Sequence, residues 1–380
     1  MKTKKNLKFL LLSATLLLLI LILIMQNIGF SSLYSTIARA NPRYLFLAVA
    51  LHASSILVRN LKWQIFVNGI KRAPFFSLLA ILLAGSFMDT ATPGPQVGGG
   101  PLKAYFLSKK IKEDKATCLS TILVERVTGV GVLSFLGVCS IFFVLVFVQN
   151  VPLLVKVLLE FVLVLIVGLP LLGFVVKEKY EKNEGKKNEG KKNERKKNEG
   201  KKNEGKKNER KKNEGEGFKG KVIISKIYYF GPFSFLRQRF KTLQGFDGYV
   251  RQKLGEFAQT FSRLSHDKKK VSENIILAFL GWLLTFASSF VLFLALGHRP
   301  SFFAVVVVIS LSIFLSYFLF MPGGAGVTEL LMISLYISFG ISATIAASVA
   351  LLDRFIFYLF SLGFGYVSLL YLNFRYGRFN

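Results

Sequence analysis

Long apolar runs separated by short polar segments dominate this chain. A helix rises about 1.5 Å per residue, so about 20 apolar residues cross the ~30 Å hydrocarbon core of a bilayer. Full or nearly full spans are predicted at 7–26, 43–58, 117–148, 152–176, 273–297 and 343–372. The pattern therefore predicts an all-α polytopic membrane protein, and we expect the N-terminal run to be a retained first span rather than a cleaved signal peptide.

Two pairs of shorter apolar segments flank motifs rich in glycine and proline. Segments 75–90 and 101–111 flank TPGPQVGGGP, and segments 302–320 and 327–340 flank MPGGAGVTE. These are the poorest helix formers, and irregular backbone at membrane depth is tolerated only where protein or a water-filled cavity surrounds it. We therefore predict two re-entrant helical hairpins, 75–111 and 302–340, whose turns contain Pro93, Gly94, Gly98, Gly99, Gly100, Pro322, Gly323, Gly324 and Gly326.

Basic segments predict the orientation in the membrane. KTKKNLK at the start, residues 59–72, KKIKEDK at 109–115 and the terminal RYGR are all expected in the cytoplasm. Since 59–72 and 109–115 then share a side, the apolar segment 75–90 cannot simply cross between them. The first hairpin is expected to enter from the cytoplasm and the second from outside, with both termini cytoplasmic and the protein in the plasma membrane.

An acid–arginine pair follows each hairpin. Glu125-Arg126 and Asp353-Arg354 come about 32 and 31 residues after the Pro-Gly turns, and aligning Gly100 with Gly326 sets Lys103 opposite Glu329. Repeats of opposite topology, with broken helices meeting near the midplane, are typical of transporters whose site is reached from either face. The order of segments thus predicts a helical bundle of inverted repeats.

The two predicted membrane halves, 1–176 and 272–380, are separated by two polar regions. Residues 181–215 repeat KKNEG and close variants without apolar side chains. They predict that 177–220 is a disordered cytoplasmic insert, either a spacer or a tether to anionic lipid heads. Residues 221–271 carry apolar positions at steps of three and four among basic residues. They predict amphipathic helices that lie at the membrane surface or cover the cytoplasmic end of the bundle.

Charge and composition exclude several classes of function. The net charge is +29, but residues 177–220 hold 18 Lys/Arg against 10 Asp/Glu, and the remaining +21 is spread through short loops, where it sets topology. We therefore expect no nucleic-acid partner. The three histidines and two cysteines show no metal-ligand spacing. No metal and no cofactor are expected, and the absence of a Walker motif disfavours ATP-driven pumping by this chain alone.

Four segments together resemble a known family: TPGPQVGGGPLKAYFLSKK, ERVTGVGVL, MPGGAGVTELLMISLY and DRFIFYLF. They are similar to the flippase-like family named after the transmembrane region of lysylphosphatidylglycerol synthase, over nearly all the chain except 177–220. The resemblance implies a polytopic protein that handles polar lipids, with the Pro-Gly loops near the lipid path. In this family an acidic residue often stands at the place of Gly100. The synthase's soluble aminoacyl-transferring domain has no counterpart in this sequence.

Charges within membrane spans are costly, so each requires a partner or a function. Arg126 and Arg354 are predicted to donate to a lipid phosphate, with Lys103 and Tyr105 near the headgroup. In the alternative, Glu125, Arg126, Asp353 and Arg354 only pair across the two halves and lock the bundle. Asp89, Glu125, Glu329 and Asp353 are the candidate charge partners, and Asp89 or Glu329 is the candidate for a coupled proton.

The leading functional hypothesis is a flippase that moves a polar-headed lipid, anionic or glycosylated, between leaflets. The partner would be a membrane phospholipid or a lipid-linked glycan. Two alternatives are a membrane glycosyltransferase and a non-transporting accessory protein in envelope lipid or glycan assembly. Because the acids are sparse and scattered along the sequence, no catalytic constellation is recognised and enzymatic activity is not expected.

Overall fold

The computed structural model describes residues 30–92, 98–148, 243–316 and 326–377, with the single positions 153, 156, 157 and 160. Every regular element in these residues is helical. The helices are α1 Phe30–Ala38, α2 Pro42–Asn68, α3 Phe75–Ala91, α4 Gly99–Ile111, α5 Lys115–Phe147, α6 Leu243–His266, α7 Lys268–Ala295, α8 Phe302–Ser316, α9 Val327–Ser338, α10 Ala343–Tyr358 and α11 Gly365–Tyr376, with a π-helical segment Leu359–Phe364 joining the last two. The predicted span 7–26, most of 152–176, the KKNEG insert and the turn residues Pro93, Gly94, Pro322, Gly323 and Gly324 lie outside the described residues.

Four helical stretches are long and apolar enough to cross a membrane. They are α2, α5, α7 and the continuous stretch Ala343–Tyr376. Large apolar side chains such as Phe135, Phe142 and Phe374 remain exposed on them, as expected for surfaces in contact with lipid. The all-α polytopic membrane architecture predicted from hydropathy is confirmed.

Helix α2 extends further than the hydropathy pattern predicts. The predicted span ends at residue 58, whereas the helix continues to Asn68. Arg59 and Lys62 therefore lie within a helix, and the prediction that they belong to a loop is wrong, whereas their cytoplasmic location stays a prediction. The helix continues because the charge of Lys62 is paired inside the protein, so a polar residue does not mark the membrane boundary here.

The helices that flank each glycine- and proline-rich motif pack against each other as a pair. Helix α3 packs against α4, and α8 packs against α9. In the first pair, Asp89 Oδ1 accepts a hydrogen bond from the backbone N–H of Gly99 at 2.7 Å, which ties the end of α3 to the start of α4. A Cβ atom at Gly99 would overlap the Gly85 carbonyl oxygen, so the approach of the two helices requires glycine. Re-entrant depth and inverted symmetry remain predictions.

Helices from the two halves pack into one bundle. Helix α2 makes its most extensive contact with α7, and both contact α5. Buried polar groups stabilise this contact. Asn274 Nδ2 donates to the Lys62 carbonyl at 2.7 Å, and Asn274 Oδ1 accepts from the Thr128 hydroxyl at 2.5 Å. Ser288 also donates to the Ala48 carbonyl at 2.8 Å. Such bonds fix the rotation of α7 against α2, which decides which side chains face the interior.

Of the described residues, 30–92, 98–148, 257–316 and 326–377 belong to one compact unit, and 243–256 belong to another. In the described part of the predicted amphipathic region, Leu243–His266 is one continuous helix, α6. At the start of α7, Asp267 accepts hydrogen bonds from the side chain of Lys270 at 2.7 Å and from its backbone N–H at 3.2 Å. These bonds lower the pKa of Asp267 below its usual value.

Candidate functional site

A cavity of about 300 Å³ lies inside the bundle, enclosed by side chains of α2, α3, α5, α7, α8, α10 and the π-helical segment. Its volume is at the lower end of small-molecule pockets, about 300–1,000 Å³. It therefore has room for a polar group but not for a whole lipid. Seven residues that carry charge at neutral pH line it: Arg59, Lys62, Asp89, Glu125, Arg126, Asp353 and Arg354.

On the N-terminal side of the cavity, two carboxylates are tightly paired. Lys62 Nζ lies 2.7 Å from Glu125 Oε1, and both side chains are buried. Arg126 Nη2 donates to both oxygens of Asp89, at 3.3 and 3.1 Å. Asp89 thus holds both Arg126 and the backbone of Gly99. We call Lys62, Asp89, Glu125 and Arg126 the N-terminal cluster, in which each carboxylate has a cationic partner within 3.1 Å.

On the C-terminal side, the contacts are looser. Arg354 Nε lies 3.8 Å from Glu329 Oε1, beyond hydrogen-bond distance. Asp353 Oδ1 accepts a short hydrogen bond of 2.5 Å from Ser289. The hydroxyls of Tyr336 and Ser361 are buried and have no hydrogen-bond partner among the described residues. We call Ser289, Glu329, Asp353 and Arg354 the C-terminal cluster.

The ion pairs form within each half of the bundle. Among the described residues, Glu125 pairs with Lys62, Arg126 with Asp89, and Arg354 with Glu329. The alternative in which the two acid–arginine pairs bind each other across the halves is therefore not what the structure contains. Instead, the two clusters border a common cavity, with each arginine held by an acid from the hairpin of its own half.

The cavity contains some of the predicted headgroup residues but not others. Arg126 and Arg354 line it. Lys103 is only 1% exposed, its stem lies against Gly85, and its ammonium is 5.9 Å from the centre of the Trp63 ring. Tyr105 packs edge-on to Phe106, and the Lys109 ammonium lies 4.6 Å from its ring centre. Neither Lys103 nor Tyr105 lines the cavity.

The candidate charge partners and turn residues are also placed. Asp89, Glu125 and Asp353 line the cavity, whereas Glu329 is buried beside Arg354. A Cβ atom at Gly100 would lie 3.6 Å from Arg126 Nη1. The position where the family often carries an acid thus faces Arg126, and in this chain Asp89 supplies the carboxylate to that arginine. Gly326 has a φ of 84° at the start of α9.

Sequence reasoning missed Arg59 and Lys62 as cavity residues. Both follow His52 and Ser55 along α2 at steps of three and four residues, so the four side chains form one polar stripe on a helix that is otherwise largely apolar. That spacing places residues on a single helical face. The signal was available in the sequence, but it was obscured because Arg59 and Lys62 also fit the pattern of a basic loop.

A π-helical segment forms part of the cavity wall. Leu359–Phe364 interrupts the last long helix and supplies Phe360 and Ser361 to the cavity. Next to it, a Cβ atom at Gly365 would lie 2.8 Å from the Leu83 carbonyl oxygen, so this wall packs closely on α3. Short π-helical turns are frequent at functional sites because they redirect side chains within a helix.

The site offers cations to an anion in an otherwise apolar bundle. Arginine presents fork-shaped donors that match phosphate or carboxylate oxygens. In the described residues, no group of three or more His, Cys, Asp or Glu is arranged to hold a metal ion. The arrangement is therefore suited to binding a polar group by charge and hydrogen bonds.

Comparison with known proteins agrees with this architecture. A UPF0104 membrane protein of Pyrococcus horikoshii is 24% identical over 320 residues, which cover 84% of each chain. Another UPF0104 membrane protein, from Methanothermobacter thermautotrophicus, is 22% identical over 335 residues, 87% of this chain and 85% of the relative. No solved structure matches the chain. The family model described as the lysylphosphatidylglycerol synthase TM region matches residues 9–365, and the chain belongs to that family.

Proposed function

We propose that this protein translocates a polar-headed lipid between the two leaflets. The observation that carries the proposal is the cavity lined by seven charged residues within a bundle of membrane-spanning helices. Charges at this depth are expensive and typically mark a substrate or ion pathway. The headgroup would enter the cavity while the tails remain in the bilayer, consistent with a volume too small for an intact lipid.

Arg126 and Arg354 are the proposed headgroup donors in this mechanism. They stand in the walls contributed by opposite halves of the bundle, so a headgroup between them contacts both halves at once. Rocking of one half against the other around such a site is the usual basis of alternating access. Asp89 and Glu329 hold the two guanidinium groups in position and partly offset their charge.

We propose transport without covalent chemistry. The three carboxylates of the cavity wall are already bonded: Asp89 to Arg126, Glu125 to Lys62 and Asp353 to Ser289. A glycosyltransferase requires a carboxylate or a metal that is available to the reacting group. Bonded carboxylates are better suited to positioning cations than to acting as a general base.

Leaflet exchange in reconstituted liposomes tests the proposal. Vesicles contain tail-labelled phosphatidylglycerol, and a membrane-impermeant quencher measures the fraction exposed outside. We expect exchange with the wild type, and at least tenfold slower exchange with Arg126→Ala and Arg354→Ala, because a charged hydrogen bond contributes about 1.5–3 kcal/mol. Arg299→Ala is the matched control, since Arg299 is exposed and does not line the cavity.

The alternatives predict different outcomes in the same assay. Exchange that is equal in protein-free and wild-type vesicles for anionic and glycosylated lipids contradicts translocation and favours an accessory role. Transfer of sugar from a lipid-linked donor by the purified protein would favour the glycosyltransferase. If both arginine variants lose their monodisperse elution, Arg126→Lys and Arg354→Lys replace them, and unchanged exchange in both then contradicts the assigned roles.

We also propose that the hairpins are re-entrant, that the two halves are inverted repeats, and that both termini face the cytoplasm of cells whose plasma membrane holds the protein. The packed pairs α3–α4 and α8–α9 support the hairpins. Cysteines introduced at Gly98 and Gly324, in a chain without Cys118 and Cys139, test their accessibility from each side. Free labelling of both positions from the same aqueous face rules out the inverted arrangement.

A further inference from the structure

Arg59 differs from the other cations of the cavity wall. Lys62, Arg126 and Arg354 each have a carboxylate partner. The half-buried Arg59 lines the same cavity but makes no ion pair and no hydrogen bond with its side chain among the described residues. Its charge interacts electrostatically with those of Glu125 and Lys103, so Arg59 is part of the same group of interacting charges.

Among the described residues, the charges around the cavity do not balance. The cavity wall and the two buried groups behind it contain five cations against four carboxylates, leaving one positive charge in excess: Arg59, Lys62, Lys103, Arg126 and Arg354 against Asp89, Glu125, Glu329 and Asp353. The segments 93–97 and 317–325, which lie outside the described residues, contain no charged residue in their sequence. Because unbalanced charge in a bilayer interior is unfavourable, a bound anion with one negative charge stabilises the site.

We propose that Arg59 is the phosphate anchor of the cavity. The protein then selects lipids whose headgroup is a phosphodiester with a net charge of −1. The inference rests on the proposed function and specifies its substrate class. The Arg59 fork can bind two phosphate oxygens without giving up an existing partner, unlike the cations of the two clusters. A zwitterionic headgroup leaves the positive charge uncompensated, and a phosphomonoester brings up to two negative charges.

Tryptophan fluorescence provides a direct binding assay for this site. The chain has two tryptophans, of which Trp282 lines the cavity and Trp63 is buried outside it. The purified full-length chain in detergent is titrated with short-chain phosphatidylglycerol, phosphatidylcholine and phosphatidic acid. Tail-free glycerophosphoglycerol and inorganic phosphate are added to distinguish a lipid from a soluble phosphate. Trp282→Phe identifies the part of the signal that comes from the cavity.

We expect the wild type to bind phosphatidylglycerol at least tenfold more tightly than the other two lipids and both tail-free compounds. Arg59→Gln should lower the affinity for phosphatidylglycerol by about tenfold to a hundredfold, as expected for loss of a charged hydrogen bond, and reduce its advantage over phosphatidylcholine to near unity. Arg59→Lys should preserve the preference but weaken the affinity at least threefold. Arg72→Gln is the control, because it removes one charge from an exposed position outside the cavity.

Three results overturn the inference. If Arg59→Gln binds phosphatidylglycerol as tightly as the wild type does, Arg59 is not the phosphate anchor. If phosphatidic acid binds more tightly than phosphatidylglycerol, the preference for a singly charged phosphodiester is wrong. If inorganic phosphate binds more tightly, the ligand is not a lipid. If Arg59→Gln does not fold, unchanged affinity in Arg59→Lys decides against the proposal. If any of these results is found but the wild type still exchanges lipid between leaflets, the proposed translocation stands and only the Arg59 inference fails. If the wild type shows neither exchange nor binding, the proposed function itself is wrong.

Discussion

The N-terminal and C-terminal clusters face the same cavity but are bonded differently. In the N-terminal cluster, Lys62 and Glu125 meet at 2.7 Å, and Asp89 satisfies both Arg126 and a backbone N–H. In the C-terminal cluster, Arg354 and Glu329 stand 3.8 Å apart. Buried hydroxyls nearby, such as that of Tyr336, have no hydrogen-bond partner among the described residues. The N-terminal cluster is therefore more tightly paired than the C-terminal cluster.

This difference indicates that the two clusters have different roles in ligand binding. A tightly paired cluster loses strong bonds when it rearranges and is therefore suited to hold its side chains, including the headgroup donor Arg126, in a fixed position. A loosely bonded cluster can change partners at lower cost, because its groups lose few existing bonds on rearrangement. The last long helix, which carries Arg354, is also interrupted by the π-helical segment. We infer that the C-terminal half is the one that adjusts to the substrate.

The largest expected effect comes from breaking the tight pair. Lys62→Met leaves the Glu125 carboxylate buried without its partner, and such a loss destabilises a protein by about 3–5 kcal/mol. Glu329→Gln, which disturbs the looser pair, should cost about 1–3 kcal/mol. The midpoints of unfolding in detergent, followed by circular dichroism, compare the two variants. Equal losses, or a larger loss for Glu329→Gln, would break the proposed contrast, whereas the double variant Lys62→Met/Glu125→Leu should recover much of the stability.

The two hairpins should respond differently to loss of glycine. Gly99→Ala places a methyl group against the Gly85 carbonyl oxygen and the Asp89 carboxylate, so we expect a loss of about 1–3 kcal/mol from overpacking. Gly326→Ala acts through its φ of 84°, which L-residues rarely adopt, and should cost about 1–2 kcal/mol. Gly131→Ala is the control, since nothing lies near the added Cβ atom. Thermal unfolding of the three variants in the same detergent ranks their losses of stability. If Gly99→Ala is as stable as the Gly131→Ala control, the packing explanation is wrong.

A pair of hydroxyl deletions tests the unused bonding capacity directly. Thr121 accepts a hydrogen bond from the buried Trp63 indole at 3.2 Å, so Thr121→Val should destabilise the protein by about 1 kcal/mol. Tyr336→Phe removes a buried hydroxyl that has no partner among the described residues and should be neutral or stabilising by up to about 1 kcal/mol. Urea or thermal titration of the two single variants measures the sign. Destabilisation by Tyr336→Phe of the same size as that of Thr121→Val would contradict the unused bonding capacity of the Tyr336 hydroxyl.

The smallest effect concerns pH and lies outside both clusters. Bonds from Lys270 lower the pKa of Asp267, so the folded state favours the ionised carboxyl more than the unfolded state does. This contribution to stability is fully present above the usual value of 3.8 and is lost as the pH falls through the lowered pKa. Asp267→Asn retains a capping side chain but removes the charge. Its unfolding midpoint should change less than that of the wild type between neutral and acidic pH, and an identical pH dependence in the two proteins excludes the linkage.

The sequence predicted the apolar helices and the two helix pairs closely, and it selected Arg126 and Arg354 for the site. It named Asp89 and Glu329 as candidate charge partners but not which arginine each binds, because Asp89 and Arg126, for example, are 37 positions apart on separate helices. It assigned Arg59 and Lys62 to a loop because hydropathy treats a charge as the end of a span, while a buried partner such as Glu125 allows the helix to continue. It placed Lys103 near the headgroup, but packing against Gly85 and Trp63 buries it.

By itself, the sequence determined where the membrane helices lie and where glycine and proline interrupt them. These properties depend on local hydropathy and local backbone freedom, which neighbouring residues along the chain already specify. Only the tertiary structure decided which charges meet, which acid holds each arginine, and that Arg59 has no such acid among the described residues. An ion pair at 2.7 Å depends on how each helix is rotated and shifted against its neighbours, and no pattern within a single helix contains that information.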